Sequence, residues 1–245
     1  MSDLTCSVLL GEQRTPEWFE ARRGVFTASG LGKFVLESTK TARKAINSMI
    51  DRTLADALTP LQTGTEDAPD FSNYWMRRGV RLEPEARIAY ENKTGNRVEE
   101  VAFCLHESGM FGCSPDGLVN DREGGLEIKC PQPERHIAYI RAGVLPEQYE
   151  MQVHSSMAVT GLPWWDFWSY CPSLPPLLVR VHRSDLTERI VAAMIDHGTC
   201  LAFERQRIAD MWNREFEPRT HADGLGSIEV IKANAELSDG AGEKR

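Results

Sequence analysis

Residues 114–130 contain two short β-compatible runs separated by a turn-forming segment, and this pattern constrains the fold more than any other part of the chain. The first run is Leu118-Val119 and the second covers residues 126–130, with six turn-favouring residues between them. Side chains alternate along a strand, so Glu127 and Lys129 should share one face and the apolar residues of the second run the other. The sequence therefore predicts a β-hairpin with one buried apolar face and one charged face open to a cleft.

Ionisable residues occupy the positions where this hairpin would open. Asp116 precedes the first strand, and after ten intervening residues comes Glu127-Ile128-Lys129. This arrangement resembles the PD-(D/E)xK nuclease superfamily. The alternative at this point is an ordinary surface hairpin whose exposed face happens to carry a glutamate and a lysine.

The resemblance implies a magnesium site at the hairpin. Mg²⁺ prefers hard oxygen ligands in octahedral geometry and keeps several waters, so the expected ligands are the carboxylates of Asp116 and Glu127 and the carbonyl of Ile128. Lys129 would orient or deprotonate the attacking water and stabilise charge that develops on the phosphate. The implied reaction is phosphodiester hydrolysis with Mg²⁺ as cofactor, and we expect Mn²⁺ to substitute.

The composition is typical of one globular domain. The chain has 245 residues, 41% hydrophobic and 26% charged, with a formal net charge of -8, so no global basic surface indicates nucleic-acid binding. A metal-dependent nuclease can nevertheless confine its basic residues to a channel. The six cysteines include no Cys-x-x-Cys pair, which argues against a zinc site or a disulfide framework. Because neither a signal peptide nor a membrane-length apolar run is present, we expect a cytoplasmic protein without membrane contact.

Hydrophobic periodicity and capping signals predict an α/β fold in which a central, curved, mixed β-sheet is flanked by helices. Helices are predicted over residues 16–23, 30–35, 40–58, 73–94 (disturbed near Pro84), 131–142, 146–160 and 184–215. Strands are predicted over residues 97–105, 111–114, the hairpin, 164–170 and 176–182. We expect residues 1–215 to form a single domain, and residues 216–245 to form a mobile tail, because apolar residues become rare there.

Residues 18–29 carry the pattern W-x-x-x-R-x-G-V-x-T-A-S. This pattern resembles the N-terminal signature of the lambda-type phage exonucleases, the YqaJ viral recombinase family. In that family the arginine and the serine bind the 5′-phosphate of a DNA end, and these roles would fall on Arg22 and Ser29. From the residues alone, a helical hairpin with one surface arginine is the alternative.

Two further motifs resemble the same family. Gly79-x-x-x-Glu83 is similar to a helical acid motif whose glutamate approaches the metal site from outside the hairpin, and Glu83 otherwise would be a solvated helix charge. Gln152 lies in a segment similar to the helical Gln/Tyr motif that completes the nuclease core. Arg135 has a family counterpart near the DNA.

The family resemblance implies a restriction-endonuclease-like core and a 5′-to-3′ exonuclease on double-stranded DNA ends that leaves a 3′ single strand. It also implies a homotrimeric ring around the DNA and a single-strand annealing partner in phage-type recombination, inside a bacterial host. Two alternatives stay open: an endonuclease on the same fold, and a non-catalytic DNA-end-binding scaffold.

Overall fold

The computed structural model describes residues 4–35, 40–59 and 74–212. These residues contain seven helices: α1 Pro16–Ala21, α2 Ala28–Val35, α3 Lys40–Leu58, α4 Tyr74–Thr94, α5 Pro133–Ala142, α6 Glu147–Thr160 and α7 Asp185–Trp212. They also contain nine strands: β1 Cys6–Leu10, β2 Phe26–Thr27, β3 Val98–Glu99, β4 Val101–His106, β5 Phe111–Cys113, β6 Gly117–Val119, β7 Gly124–Lys129, β8 Trp164–Ser169 and β9 Leu177–His182. The predicted tail over residues 216–245 lies outside the described residues.

The nine strands form two mixed sheets, where the sequence analysis predicted one. The first has the order β1-β4-β5-β2 and the second the order β3-β6-β7-β8-β9. The strand predicted over residues 97–105 is divided at Glu100, so that β3 joins one sheet and β4 the other. The chain changes sheet again between β5 and β6, where Pro115 has no N–H to donate to a ladder. The expectation of an α/β fold with mixed strands and flanking helices is confirmed.

The predicted hairpin is present, with β6 and β7 paired antiparallel and β7 continuing in parallel pairing with β8. The connecting residues Asn120, Asp121 and Arg122 all have positive φ values, of 49°, 53° and 69°. Leu126 and Ile128 pack in a buried cluster with residues of α4. This burial fixes the register of β7, and the other face of the strand carries Glu127 and Lys129, as predicted.

Most helix predictions agree with the structure. Thr15 caps α1 by accepting a hydrogen bond from the Trp18 N–H at 3.3 Å. The helix predicted to be disturbed near Pro84 does not restart there, because α4 is a single helix that includes Pro84. The last helix was predicted to end at Glu215; α7 runs to Trp212, and later residues are outside the described part of the chain. Strand β1, which was not predicted, pairs with β4.

A buried polar network fixes α4 against the second sheet. Asp166 on β8 is fully buried; it accepts a hydrogen bond from the Tyr90 hydroxyl at 2.6 Å and two from Arg180, both at 2.8 Å. Asn96 in turn donates to the Tyr90 hydroxyl at 2.9 Å. A buried carboxylate needs such partners to remain charged. The network thus holds α4, which carries Glu83, at a fixed distance from β7.

The glycine of the N-terminal signature brings α1 close to α3. Gly24 has a φ of 64°, and a Cβ atom at this position would lie 2.6 Å from the Cβ of Ala57. Gly95, just after α4, has a φ of 74°, but a Cβ atom there would meet no heavy atom within 4 Å. Substitution of Gly95 should therefore reveal the free-energy cost of the backbone conformation alone, and substitution of Gly24 that cost together with the cost of steric overlap.

We predict that Gly95→Ala lowers the free energy of unfolding by about 1 kcal/mol, since an L-residue is strained in the left-handed region. Gly24→Ala should lower the free energy of unfolding by roughly 1 to 3 kcal/mol more than Gly95→Ala does, because α1 and α3 must move apart. Urea unfolding of both variants checks this. Equal losses would show that the α1–α3 contact is not tight.

Candidate active site

The hairpin backbone holds Asp116 in place. The Asp116 N–H donates to the Leu126 carbonyl at 3.0 Å, and the Ile128 N–H donates to Asp116 Oδ2 at 2.6 Å. Side chains from elsewhere in the chain hydrogen-bond to the main chain here as well. Gln13 donates to the carbonyl of Pro115 at 2.8 Å, and Arg87 donates to the carbonyl of Asp116 at 3.3 Å. The carboxylate is therefore fixed beside β7 before any ligand arrives.

Glu127 is the centre of the side-chain contacts on the charged face of β7. It is 2% exposed, and its Oε1 forms an ion pair with the Lys129 ammonium group. The same oxygen accepts a hydrogen bond from Gln152 of α6 at 2.7 Å. The structure thus brings together Glu127, Lys129 and Gln152, residues that the sequence analysis assigned to one site.

Glu83 of α4 approaches the acids from the other side. It lies near enough to Asp116 for the two charges to interact, and its Oε1 is 4.0 Å from Nη2 of Arg14. Burial raises the pKa of Glu83 to about 7, and the charge of Asp116 adds to that rise. Glu83 is therefore partly buried beside Asp116, with a side chain that is 31% exposed.

The electrostatics of the cluster favour a bound cation. Burial raises the pKa of Glu127 to about 7, and it raises the pKa of Asp116 as well, although Lys129 opposes both shifts. Burial alone would lower the pKa of Lys129, but the charges of Glu127 and Asp116 outweigh that effect and raise it. Arg14 and Arg87 also oppose the shifts of Glu83 and Asp116, yet burial still raises the pKa of all three carboxyl groups, and a divalent cation would relieve their repulsion.

The donor set fits a partial Mg²⁺ shell. The side chain of Ile128 is buried on the apolar face of β7, yet Ile128 lines the cleft beside Lys129, so its main chain is the part that faces this cleft. Two carboxylates and one carbonyl leave octahedral positions for water, as Mg²⁺ prefers. Among residues 4–35, 40–59 and 74–212, no group of three or more His, Cys, Asp or Glu side chains is placed to hold a metal ion, so the Ile128 carbonyl and water would have to complete the shell.

Two clefts open onto the cluster. The active-site cleft has a volume of about 870 Å³, and its lining includes Lys129, Glu83, Arg135 and Tyr149. The side cleft has a volume of about 340 Å³ and includes Asp116, Glu83 and Arg87 in its lining. The exposed Arg135 therefore lines the same cleft as Lys129.

Arg22 and Ser29 line a third cleft, the end cleft, with a volume of about 690 Å³. Ser29 Oγ is 3.3 Å from the hydroxyl of Thr27, which lines the same cleft. The Arg22 guanidinium lies over the Trp18 ring, 4.2 Å from its centroid. The structure thus places both residues of the predicted phosphate site in one cleft.

Ser114 connects this end cleft with the acid cluster, and the sequence analysis did not identify it. Its hydroxyl accepts hydrogen bonds from Arg22 Nη1 at 3.0 Å and from Trp18 Nε1 at 2.9 Å. It precedes Asp116 by two residues. The signal available in the sequence was a hydroxyl residue directly before the Pro-Asp pair. The partners of this hydroxyl could not be predicted, because they lie 92 and 96 residues away in sequence.

We predict that Glu83→Gln stabilises the metal-free protein at pH 8 by about 2 kcal/mol. The folded-state pKa of Glu83 is above its ordinary value, so stability is lost as the pH rises through about 7, and the amide removes that loss. The difference should shrink as the pH falls and be close to zero at pH 4, where the carboxyl group is protonated in both the folded and the unfolded protein. Thermal unfolding in EDTA checks this, with Asp51→Asn, an exposed acid on α3, as control; a gain that persists at pH 4 would contradict it.

Comparisons with known proteins identify the family of this chain. The model of the YqaJ-like viral recombinase domain matches residues 17–163, more than half of the chain. An alkaline exonuclease from Laribacter hongkongensis (LHK-Exo) is 32% identical, with 80% of this chain and 100% of that chain covered and a TM-score of 0.60. The structure of LHK-Exo in complex with dAMP matches at the same identity and coverage with a TM-score of 0.61.

These structural matches support the predicted restriction-endonuclease-like fold. No match was found among curated proteins. None of the described helices is both long and apolar enough to cross a lipid bilayer. On the family model and the structural similarity together, the chain belongs to the YqaJ-like viral recombinase family, whose structural relatives are alkaline exonucleases.

Proposed function

We propose that this protein is a Mg²⁺-dependent exonuclease that degrades the 5′-ended strand of double-stranded DNA and leaves a 3′ single strand. One observation carries the proposal: Ser114, which contacts Arg22 in the end cleft, is only two residues from Asp116 in the acid cluster. Two residues of backbone span at most about 7 Å. A phosphate bound at Arg22 would therefore place a neighbouring phosphate of the same strand near the acids.

The roles within the cluster follow from the contacts. Asp116, Glu127 and the Ile128 carbonyl would hold the metal ion, which when bound would polarise the phosphate and lower the pKa of a water. Lys129, flanked by carboxylates, stays protonated, so it is suited to orient water and stabilise negative charge on the phosphate. Gln152 holds Glu127 in position through its hydrogen bond at 2.7 Å.

The end cleft would bind the terminal 5′-phosphate. Arg22 and Ser29 offer this cleft a guanidinium and a hydroxyl group, which suit a phosphate, and Ser114 holds the guanidinium in position. Burial lowers the pKa of Arg22, and an anionic ligand would compensate for that burial. Hydrolysis at the next phosphate releases a mononucleotide and leaves a new 5′-phosphate for the following cycle. The dAMP bound by LHK-Exo is a ligand of that product class.

The remaining expectations from the family extend this proposal. The protein would act in the cytoplasm of a bacterial host, as one domain over residues 1–215, with a single-strand annealing protein as its partner. A homotrimeric ring would surround the duplex and place the arginines of the active-site cleft in its channel, which reconciles DNA binding with a net charge of -8. A molar mass of about three protomers in solution would support this arrangement.

We predict that the wild-type protein releases label from the 5′ end of linear duplex DNA in Mg²⁺ and that Lys129→Ala slows release by about 10² to 10⁴-fold. Lys93→Ala, an exposed lysine of α4, is the matched control and should retain full activity. Release of label from the 3′ end first, or cutting of covalently closed circles, would contradict the exonuclease polarity. An inactive wild-type protein in both Mg²⁺ and Mn²⁺ would favour the end-binding scaffold.

We further predict that the wild-type protein prefers 5′-phosphorylated ends over 5′-hydroxyl ends and that Arg22→Ala reduces this preference by about 10 to 100-fold, the range for a charged hydrogen bond. Ser114→Ala should reduce it less, because the hydroxyl is uncharged. Initial rates on the two substrates measure the ratio, and Arg189→Ala, an exposed arginine of α7, serves as control. An unchanged ratio in Arg22→Ala would remove the end cleft from the mechanism.

A further inference from the structure

Arg14 lines both clefts that open onto the acid cluster, although the sequence analysis did not single it out. It borders the active-site cleft together with Lys129 and the side cleft together with Asp116. Glu83 is also common to both clefts. Arg14 and Glu83 therefore form part of the wall between the two clefts, beside the groups proposed to act on the DNA phosphate.

The guanidinium of Arg14 has N–H donors that are available to a ligand. Its nearest carboxylate oxygen belongs to Glu83, at 4.0 Å, and the Arg14 side chain is 51% exposed. Within the described residues its guanidinium makes no hydrogen bond, whereas that of Arg22 is bonded to Ser114 and that of Arg87 to Glu100. A guanidinium carries five N–H donors in a plane that matches two oxygens of a phosphate. A half-exposed pair at this distance contributes little to stability.

The backbone of Arg14 is held in an unfavourable conformation. Its φ is 70°, in the left-handed region that favours glycine. The residues on both sides are fixed: Gln13 donates to the Pro115 carbonyl at 2.8 Å, and Thr15 caps α1. The turn is thus attached to the peptide that precedes Asp116. Strained backbone that is maintained by its surroundings is concentrated at functional sites.

We propose that Arg14 is a further catalytic residue, which binds the scissile phosphate of the DNA strand together with Lys129 in the active-site cleft; this proposal rests on the nuclease activity proposed above. Its guanidinium donates to the non-bridging oxygens and neutralises the charge that builds up there. No proton leaves Arg14. Water forms the new P–O bond, the P–O bond to the 3′-oxygen of the departing nucleotide breaks, and one proton of the water ends on that 3′-oxygen.

The backbone conformation provides a test in which stability and activity change in opposite directions. Arg14→Gly removes the guanidinium and relieves the strain, so the melting temperature should be unchanged or higher while the single-turnover cleavage rate falls at least tenfold. Arg122→Gly is the matched control: Arg122 has a φ of 69°, lies in the turn of the hairpin and is paired with Glu99. It should cleave at the wild-type rate. Arg14→Lys keeps the charge but loses the planar arrangement of donors, so its cleavage rate should lie between those of the wild type and Arg14→Gly.

A double variant distinguishes direct binding of the phosphate by Arg14 from an indirect role in which Arg14 only offsets the charge of Glu83. If Arg14 acts through Glu83 alone, adding Arg14→Gly to Glu83→Gln causes no further loss of rate, and the proposal is overturned; a further tenfold loss supports it. Wild-type cleavage by Arg14→Gly would also overturn the proposal and leave the nuclease function intact. Absence of cleavage by the wild-type protein in Mg²⁺ and Mn²⁺ would instead refute the proposed function itself, and the Arg14 proposal with it.

Discussion

The position of strand β7 between β6 and β8 is the constraint on which the active site depends. Leu126 and Ile128 are buried against α4, and a slip of one residue would exchange them with Glu127 and Lys129. The same strand supplies the Ile128 N–H that fixes Asp116 at 2.6 Å. Packing of apolar side chains on one face therefore determines where the acids and the lysine lie on the other.

The cost of this arrangement is electrostatic. Glu83, Asp116 and Glu127 are brought together, and burial raises the pKa of all three carboxyl groups despite the neighbouring positive charges. A fold that only needed stability would replace such a cluster with apolar side chains. The rest of the structure opposes the repulsion: the Asp166 network fixes α4, and the hydrogen bond from Gln152 fixes Glu127. The destabilised cluster is the part of the molecule that is prepared for a cation and a phosphate.

Local patterns were sufficient to predict the hairpin, because the turn formers and the alternation that specify it lie within residues 114–130. The capped start of α1 was predictable for the same reason. Contacts between distant segments could not be predicted in this way. Strand β1 pairs with β4 about a hundred residues away, and the hydrogen bond from Gln13 to Pro115 spans 102 residues. The division into two sheets, the contact of Ser114 with Arg22 and the placement of Arg14 all arise from such contacts, which a single sequence does not encode in any short pattern. Gln152 was identified through family resemblance, since a glutamine on a helix carries no signal of its own.

The most direct test of the account is to locate the cation itself. Crystals of the protein soaked in Mn²⁺ would be measured near the manganese absorption edge, and an anomalous difference map would be calculated for wild type and for Asp116→Asn. If these residues hold the metal ion, a peak is expected in contact with the carboxylates of Asp116 and Glu127 and the carbonyl of Ile128, and it should be lost in Asp116→Asn. A wild-type map without a peak between these groups, or with the same peak in the variant, would contradict it.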